Sequence, residues 1–444
     1  MEDYYKDKNF LKWQWRIIIG AMLGYSFYYF VRKNFSFAMP VLKDTYGITN
    51  ESFGIVLTLV GLIYAVSKFV NGVIADKADA RWHISIGLAA CVILNFVLGF
   101  SDRISTMICG QAEGPDFVGT MVVVMAILMI INNIFQGCGA APCNKLMQYW
   151  VPQKELATKT SIWNTSHSIG AGIASVMCGL IVAKTGDWRL CFWIPAAIAA
   201  VGVLICVTTI RDCPSKVGLK ELPKSKIELQ TEENSESHKE FIKRMVFRSP
   251  VIWILAITDL FVYIVRFAVL DWGPTFLKSN GLSLELAGWI VAIFEVAGCA
   301  GMVCAGWLTD KLFKGKAQRM CAVEMMLVTF CMIGTYFVKD LDSPIPMLVL
   351  LVITGFLLYG PQTLLGVVAF KKVTKKGGAT AVGFIGFVSY LSTLVTGWGL
   401  GRWSDIHGWD DLFLIMAGAA FIGFVLVAPL WNMKENELAE QEKK

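Results

Sequence analysis

Two arginines stand in apolar stretches where a membrane-crossing segment ordinarily carries no charge. One is Arg32, in Tyr28-Tyr-Phe-Val-Arg32-Lys33-Asn34-Phe35; the other is Arg266, in Tyr263-Ile-Val-Arg266-Phe-Ala-Val-Leu-Asp271. Tyr29 and Tyr263, Arg32 and Arg266, and Pro40 and Pro274 are each separated by the same 234 positions (266 minus 32). An arginine at mid-membrane costs about 2.5–3.5 kcal/mol on insertion scales. A planar guanidinium fork donates to two phosphate oxygens at once, a task a lysine ammonium does less well. The pair therefore reads as one binding site for a doubly negative phosphate group. The competing reading gives each arginine a carboxylate partner and a purely structural role.

The neighbouring ionisable groups fill in the site. Lys33 lies one residue beyond Arg32 and so points about 100° away around a helix. Asp271 is five positions past Arg266, Glu295 sits inside the eighth apolar segment, and Lys68 sits inside the second. Counted this way, two acids balance Lys33 and Lys68, and the two arginines await an anion. The expected ion pairs are Lys33 with Asp271, between halves, and Lys68 with Glu295. His167 follows Asn164 by three residues and shares its helix face; with a pKa ordinarily near neutrality, a histidine can follow the ionisation of a phosphate. Tyr25, Tyr29, Tyr263, Tyr359 and Tyr390 are candidate hydroxyl donors, against the plainer reading of core or interfacial aromatics.

The elements that must position these groups are membrane spans. The 444 residues are 55% hydrophobic and only 17% charged, with mean hydropathy +0.57, whereas soluble domains carry about 25% charged residues. Apolar windows of about 20 residues, enough to cross a roughly 30 Å hydrocarbon layer, recur throughout. Twelve spans fit: 14–40, 52–75, 82–100, 119–148, 158–183, 190–210, 250–277, 286–309, 318–338, 345–370, 379–403 and 411–431. The expected fold is all-α, with twelve transmembrane helices in two pseudo-symmetric six-helix bundles. The first bundle is 1–210, the second 249–444 with its tail, and the Lys-, Glu- and Ser-rich stretch 211–248 is a solvated linker.

Charge placement sets the expected orientation. Lys6, Lys8, Lys12, Arg16, Lys77, Arg81, the linker, Lys311, Lys314, Lys371, Lys372 and the tail lysines fall on one side; the other holds Lys43, Arg103, Lys184, Arg189, Lys278, Lys339 and Arg402. By the positive-inside rule, both termini face the cytoplasm. The net charge of +6 thus collects in loops and gives no reason to expect a nucleic-acid partner. The charged N-terminus runs into the first span without a small-residue cleavage site, which reads as an uncleaved span rather than a signal peptide. The twelve cysteines show no metal-ligand spacing, and neither a metal nor a cofactor is expected. Gly137-Cys-Gly139-Ala-Ala-Pro142 reads as a close helix-packing surface rather than a phosphate loop.

The halves repeat further. Gly72-Val-Ile-Ala-Asp76-Lys77 follows the second span and Gly306-Trp-Leu-Thr-Asp310-Lys311 the eighth, again 234 positions apart (306 minus 72). Trp188-x-x-x-Phe192 and Trp409-x-x-x-Phe413 open the sixth and twelfth spans. The Gly-x-x-x-Asp-Lys pair resembles the loop motif of the major facilitator superfamily. Longer strings are more specific: Tyr28 to Phe35, Ser67-Lys68-Phe69, Trp163-Asn164-Thr165-Ser166-His167, Tyr263-Ile-Val-Arg266 with Leu270-Asp271-Trp272, and Tyr359-Gly360-Pro361. Together they resemble the organophosphate:phosphate antiporters, which include hexose-6-phosphate and glycerol-3-phosphate transporters.

The resemblance implies that the two arginines form the phosphate site, that His167 faces the substrate, and that the ion pairs are those named above. Gly72, Asp76, Gly306 and Asp310 are expected to hold neighbouring helices in one conformation and release them in the other. The implied activity is exchange of a sugar phosphate, foremost hexose-6-phosphate such as glucose-6-phosphate, for inorganic phosphate, by a monomer in a bacterial inner membrane. Rival readings are a glycerol-3-phosphate antiporter, a non-transporting hexose-phosphate sensor, and an intramembrane phosphatase, for which Asp271 alone does not supply the constellation.

Overall fold

The computed structural model describes residues 7–222, 238–339, 341, 343–373 and 378–433, and no strand occurs among them. The helices are α1 Lys8–Phe30, α2 Phe35–Tyr46, α3 Asn50–Lys77, α4 Ala80–Leu98, α5 Ser101–Cys109, α6 Pro115–Gln136, α7 Ala140–Trp150, α8 Gln153–Thr185 and α9 Leu190–Thr209. They continue with α10 His238–Ile242, α11 Pro250–Ser279, α12 Leu284–Phe313, α13 Ala317–Val338, α14 Ile345–Val373, α15 Gly378–Tyr390, α16 Leu400–His407 and α17 Leu412–Val427.

Among the described residues, eleven segments are long and apolar enough to cross a membrane. The first expected span, α1 with α2, falls outside that set because Gln14, Arg16 and three tyrosines depress the hydropathy of α1. With it the chain has the twelve expected. Their faces follow the logic of lipid solvation, apolar all round. In α4 the buried line is Ile84, Leu88, Cys91, Asn95 and Leu98, while Ile86, Ile93 and Phe96 lie exposed on the opposite face. An exposed isoleucine row would be a liability in water and is the ordinary condition against acyl chains.

Three expected spans are interrupted. The first breaks at 31–34, the fourth at 137–139, and the eleventh passes into a π-helical turn over Leu394–Gly399. The π turn is anchored on both sides: Thr393 Oγ1 donates to the Tyr390 carbonyl at 2.8 Å, and Trp272 Nε1 donates to the Thr396 carbonyl at 2.6 Å. Single π turns of this kind often mark functional positions.

The chain divides into two compact units. The first is Met1–Leu229 with Pro274–Ala292; the second is Gln230–Gly273 with Ile293–Lys444. In the first unit, α1 packs on α8 and α9, and α3 on α6. Here Lys278, near the end of α11, pairs with Asp44 of α2. In the second unit, α13 packs against both α14 and α17.

Close helix contact in the second unit depends on Gly301 of α12. A Cβ there would stand 1.7 Å from the Phe356 carbonyl oxygen of α14, whereas one at Gly306, five residues on, would meet nothing within 4 Å. Gly301→Ala should therefore lower the melting temperature in detergent, by an amount equivalent to about 1–3 kcal/mol of overpacking. Gly306→Ala should hold or raise it, since alanine is the better helix former by up to about 1 kcal/mol. Scanning fluorimetry of the two variants checks this.

Candidate functional site

The local fold around Arg32 begins with the break at 31–34. Helical bonding fails there: Arg32 N and Lys33 N both turn back to the Tyr29 carbonyl, at 3.3 and 3.2 Å. The carbonyls of Tyr28 and Val31 are left for other donors, and in hydrocarbon an unsatisfied carbonyl costs several kcal/mol. Side-chain amides from two helices supply them. Asn95 Nδ2 of α4, Asn132 Nδ2 of α6 and Gln136 Nε2 of α6 donate to the Val31 carbonyl at 3.0, 3.2 and 3.3 Å. Gln136 also reaches the Tyr28 carbonyl at 3.2 Å. Asn34, inside the break, donates to Asn95 Oδ1 and to the Cys191 carbonyl, both at 2.9 Å. All four amide side chains are buried. They fix where the chain turns and therefore where Arg32 and Lys33 leave the helix.

Arg32 then lies among aromatics of its own unit. Its guanidinium carbon stands 3.7 Å from the Tyr64 ring centroid and 5.4 Å from that of Tyr29. Tyr29 is in edge contact with Tyr25, at 5.5 Å between centroids, and 5.8 Å from the His167 ring. Tyr25 also packs on Trp163, at 5.2 Å. His167 Nδ1 bonds to the Asn164 main-chain carbonyl. A carbonyl only accepts, so Nδ1 carries the proton and Nε2 is the atom whose protonation can vary. The first unit thus brings Tyr25, Tyr29, Arg32 and His167 near one another, together with Tyr64, one turn before Lys68. The Lys68 side chain is exposed, and Lys33 is half-buried.

The second unit builds its arginine site differently. Arg266 is 6% exposed; its Nε and Nη2 donate to the Tyr359 hydroxyl at 3.1 and 3.0 Å. Nη2 also stands 3.5 Å from Glu295 Oε1. That contact corrects the charge count made from the sequence. Arg266 is not left without a carboxylate until an anion arrives; Glu295, wholly buried on α12, lies beside it. The contact is longer than the 2.7–2.9 Å of a tight charge-assisted bond. Tyr263, one turn before Arg266, packs against Tyr390 at 5.6 Å between centroids and accepts from Gln362 Nε2 at 3.4 Å. Asp271 is half-buried farther along α11.

The charge count went astray for a second reason: it omitted two acids. Asp259 of α11 is 4% exposed and accepts from Ser389 Oγ of α15, and Glu324 of α13 is 1% exposed. Both fall inside expected spans, so a complete tally of carboxylates within the apolar segments finds them. Tyr64 and the amide cluster carry no comparable signal, because asparagines in an apolar span can serve any buried backbone gap.

Of the loop-motif residues, Asp310 is exposed at the end of α12, Gly72 and Gly306 have open space where a side chain would project, and the Asp76 side chain lies outside the described residues. The contact observed beside the first motif uses other groups. Asp212 Oδ1 accepts from Ala80 N at 2.8 Å, and Lys145 bridges the Ala78 carbonyl at 2.8 Å and Asp212 at 3.1 Å. Among the described residues no group of histidines, cysteines and carboxylates could hold a metal ion.

The amide cluster predicts a graded response. Asn95→Ala removes donors from the Val31 and Cys91 carbonyls and an acceptor from Asn34, and should cost about 1–3 kcal/mol in stability. Asn133→Ala, whose amide donates to the Met129 carbonyl of its own helix, should be mild. Thermal unfolding of the two variants in detergent compares them.

The comparisons with known proteins agree with one another. Residues 21–397 match the model of the Major Facilitator Superfamily. A probable hexose phosphate transport protein of Chlamydia pneumoniae is 32% identical, over 96% of this chain and 93% of its own. The glycerol-3-phosphate transporter of Bacillus subtilis is 31% identical, over 97% and 95%. The membrane sensor protein UhpC of Escherichia coli is 30% identical, again over 97% and 95%. Among solved structures, the inward-open xylose transporter XylE from E. coli superposes with a TM-score of 0.72 at 14% identity, covering 96% of this chain and 97% of that one; it speaks to the fold alone. With its duplicated arginine motifs and twelve spans, this chain belongs to the major facilitator superfamily and, within it, to the organophosphate:phosphate antiporter family, a group of transporters rather than enzymes.

Proposed function

We propose that this protein exchanges a sugar phosphate, foremost a hexose-6-phosphate such as glucose-6-phosphate, for inorganic phosphate by alternating access. The observation that carries the reading is that each unit gathers its sequence-matched arginine with tyrosine side chains inside a membrane span. Arg32 lies over Tyr64, and Arg266 is held on the Tyr359 hydroxyl. A guanidinium so placed presents donors without the cost of bringing an ordered side chain from water, and a phosphate dianion matches its fork.

In this reading Arg32 and Arg266 take the phosphate oxygens. His167, Lys68, Asn164, Tyr25, Tyr29, Tyr263, Tyr359 and Tyr390 supply further contacts, and Lys33 with Asp271 forms a pair between halves. Glu295 offsets part of the Arg266 charge, so a dianion is drawn mainly by the remaining positive charge of Arg32, Lys68 and the loosely paired Arg266. Phosphate and its monoester share that headgroup, so either can lower the barrier to reorientation, and exchange follows without ATP. The halves 1–210 and 249–444 would move as bundles joined by the linker 211–248. The molecule would act as a monomer in a bacterial inner membrane with both termini cytoplasmic, as the lysine and arginine placement supports.

The relatives named for hexose phosphate support the substrate, and the Bacillus relative keeps glycerol-3-phosphate as the second candidate. The similarity to UhpC makes a non-transporting sensor the third.

Proteoliposomes loaded with phosphate separate the three. Glucose-6-phosphate should enter only when phosphate is inside, and faster than glycerol-3-phosphate at equal concentration. Uptake indifferent to internal phosphate removes antiport, and binding without uptake favours the sensor. Arg32→Lys and Arg266→Lys should each reduce exchange to background while the protein stays folded; near-normal exchange in either would place the phosphate elsewhere.

A further inference from the structure

Glu324 is a buried ionisable group that the phosphate site does not use. It lies on α13 with 1% of its surface exposed, and its Oε2 has no hydrogen-bond partner among the described residues. Its carboxyl group occupies the space left by Gly360 of α14. A Cβ at Gly360 would stand 2.1 and 2.4 Å from the two carboxyl oxygens, and 2.5 Å from the carboxyl carbon. Gly360 directly follows Tyr359, whose hydroxyl receives the Arg266 guanidinium. The contact between Glu324 and α14 is therefore one residue from the arginine site.

Among the described residues, the surroundings offer Glu324 no counter-charge. On its own helix the ionisable neighbour is Cys321, one turn away. The same thiol lies within electrostatic reach of Asp259 of α11, itself two turns from Arg266 and bonded to Ser389. From α14 comes Tyr359, which is engaged with Arg266 and Glu295. Also packed on α13 are α17 and the short 3-10 turn Ala428–Asn432 after it, and neither Leu412–Val427 nor that turn contains an ionisable residue. An ionised carboxylate in such a place would bear a desolvation penalty of several kcal/mol with no cation to offset it. A neutral acid bears a far smaller one.

We propose that Glu324 is a proton-binding site, and that its proton must be in place for α13 to pack against α14 beside Tyr359. This couples proton binding to the state of the arginine site and makes transport proton-sensitive beyond the ionisation of the phosphate itself. The step is simple: the carboxyl O–H gives its proton to water, the electron pair stays on the carboxylate, and the reverse restores the packed form. The inference rests on the transport reading given above, but the proton site has a readout of its own.

The test uses the full chain. In proteoliposomes, phosphate self-exchange is followed against pH for the wild type and for Glu324→Gln, whose amide matches a protonated carboxyl in shape but cannot ionise. The ionisation of phosphate is common to both, so the difference isolates Glu324. Wild-type exchange should fall by up to about tenfold per pH unit once the carboxyl ionises, because each unit lowers the protonated fraction by that factor. Glu324→Gln should lack that fall, while Asp259→Asn should keep it. Superimposable profiles for the wild type and Glu324→Gln would overturn the proposal.

Independently of transport, infrared spectra should show a protonated-carboxyl C=O band that shifts in heavy water, titrates with pH, and is missing from Glu324→Gln. A wild type lacking that band also overturns it. If neither protein exchanges phosphate, the transport reading fails, and the infrared band alone decides the proton site.

Discussion

A main-chain carbonyl stripped of its helical partner and surrounded by hydrocarbon has to find a donor, and the first unit is arranged around that requirement. Breaking a span at 31–34 orphans the carbonyls of Tyr28 and Val31. Asn95, Asn132 and Gln136 converge on them from two other helices, and Asn34 ties the cluster to α9 through the Cys191 carbonyl. The payoff is geometric. A continuous helix would set Arg32 and Lys33 by helical pitch alone, whereas the break lets their directions be fixed by four buried amides. A long basic side chain gains from such a frame, because it otherwise loses much of any interaction energy to rotamer freedom.

The two units reach comparable ends by different chemistry, although their sequences align on a common repeat. Arg32 lies against the Tyr64 ring, within hydrogen-bonding reach of the same tyrosine. Arg266 is held by its edges, on the Tyr359 hydroxyl and beside Glu295. An internally repeated sequence thus does not imply an internally repeated electrostatic environment. In the second unit the basic group is already in partial balance with a carboxylate.

Much of this was legible beforehand, and what was not has physical reasons. Eleven of the expected spans follow from hydropathy, which lipid enforces, while polar side chains mask the first. The arginine motifs, with Tyr29 and Tyr263 at matching offsets, stand out because charge is rare in apolar segments. The break at 31–34 left no glycine or central proline as a warning; it is a tertiary product of amides more than sixty residues away. The partner of Glu295 could not be chosen from a count, since which cation a buried acid meets depends on helix rotation. Asp259 and Glu324 were visible in the sequence, and the charge count that set acids against cations went wrong by leaving them out.

The cluster at Val31 is neutral throughout, and that has a bearing on how the protein meets changing conditions. Dissolved ions screen exposed charges beyond about 10 Å at 0.1 M salt, but uncharged amides buried among helices offer them nothing to screen. Acidity passes them by as well, since a carboxamide neither gains nor loses a proton in the range that cells experience. The scaffold that aims the first arginine should hold its shape across osmotic shifts and acid stress, leaving cargo and carboxyl groups as the parts of the molecule that register them.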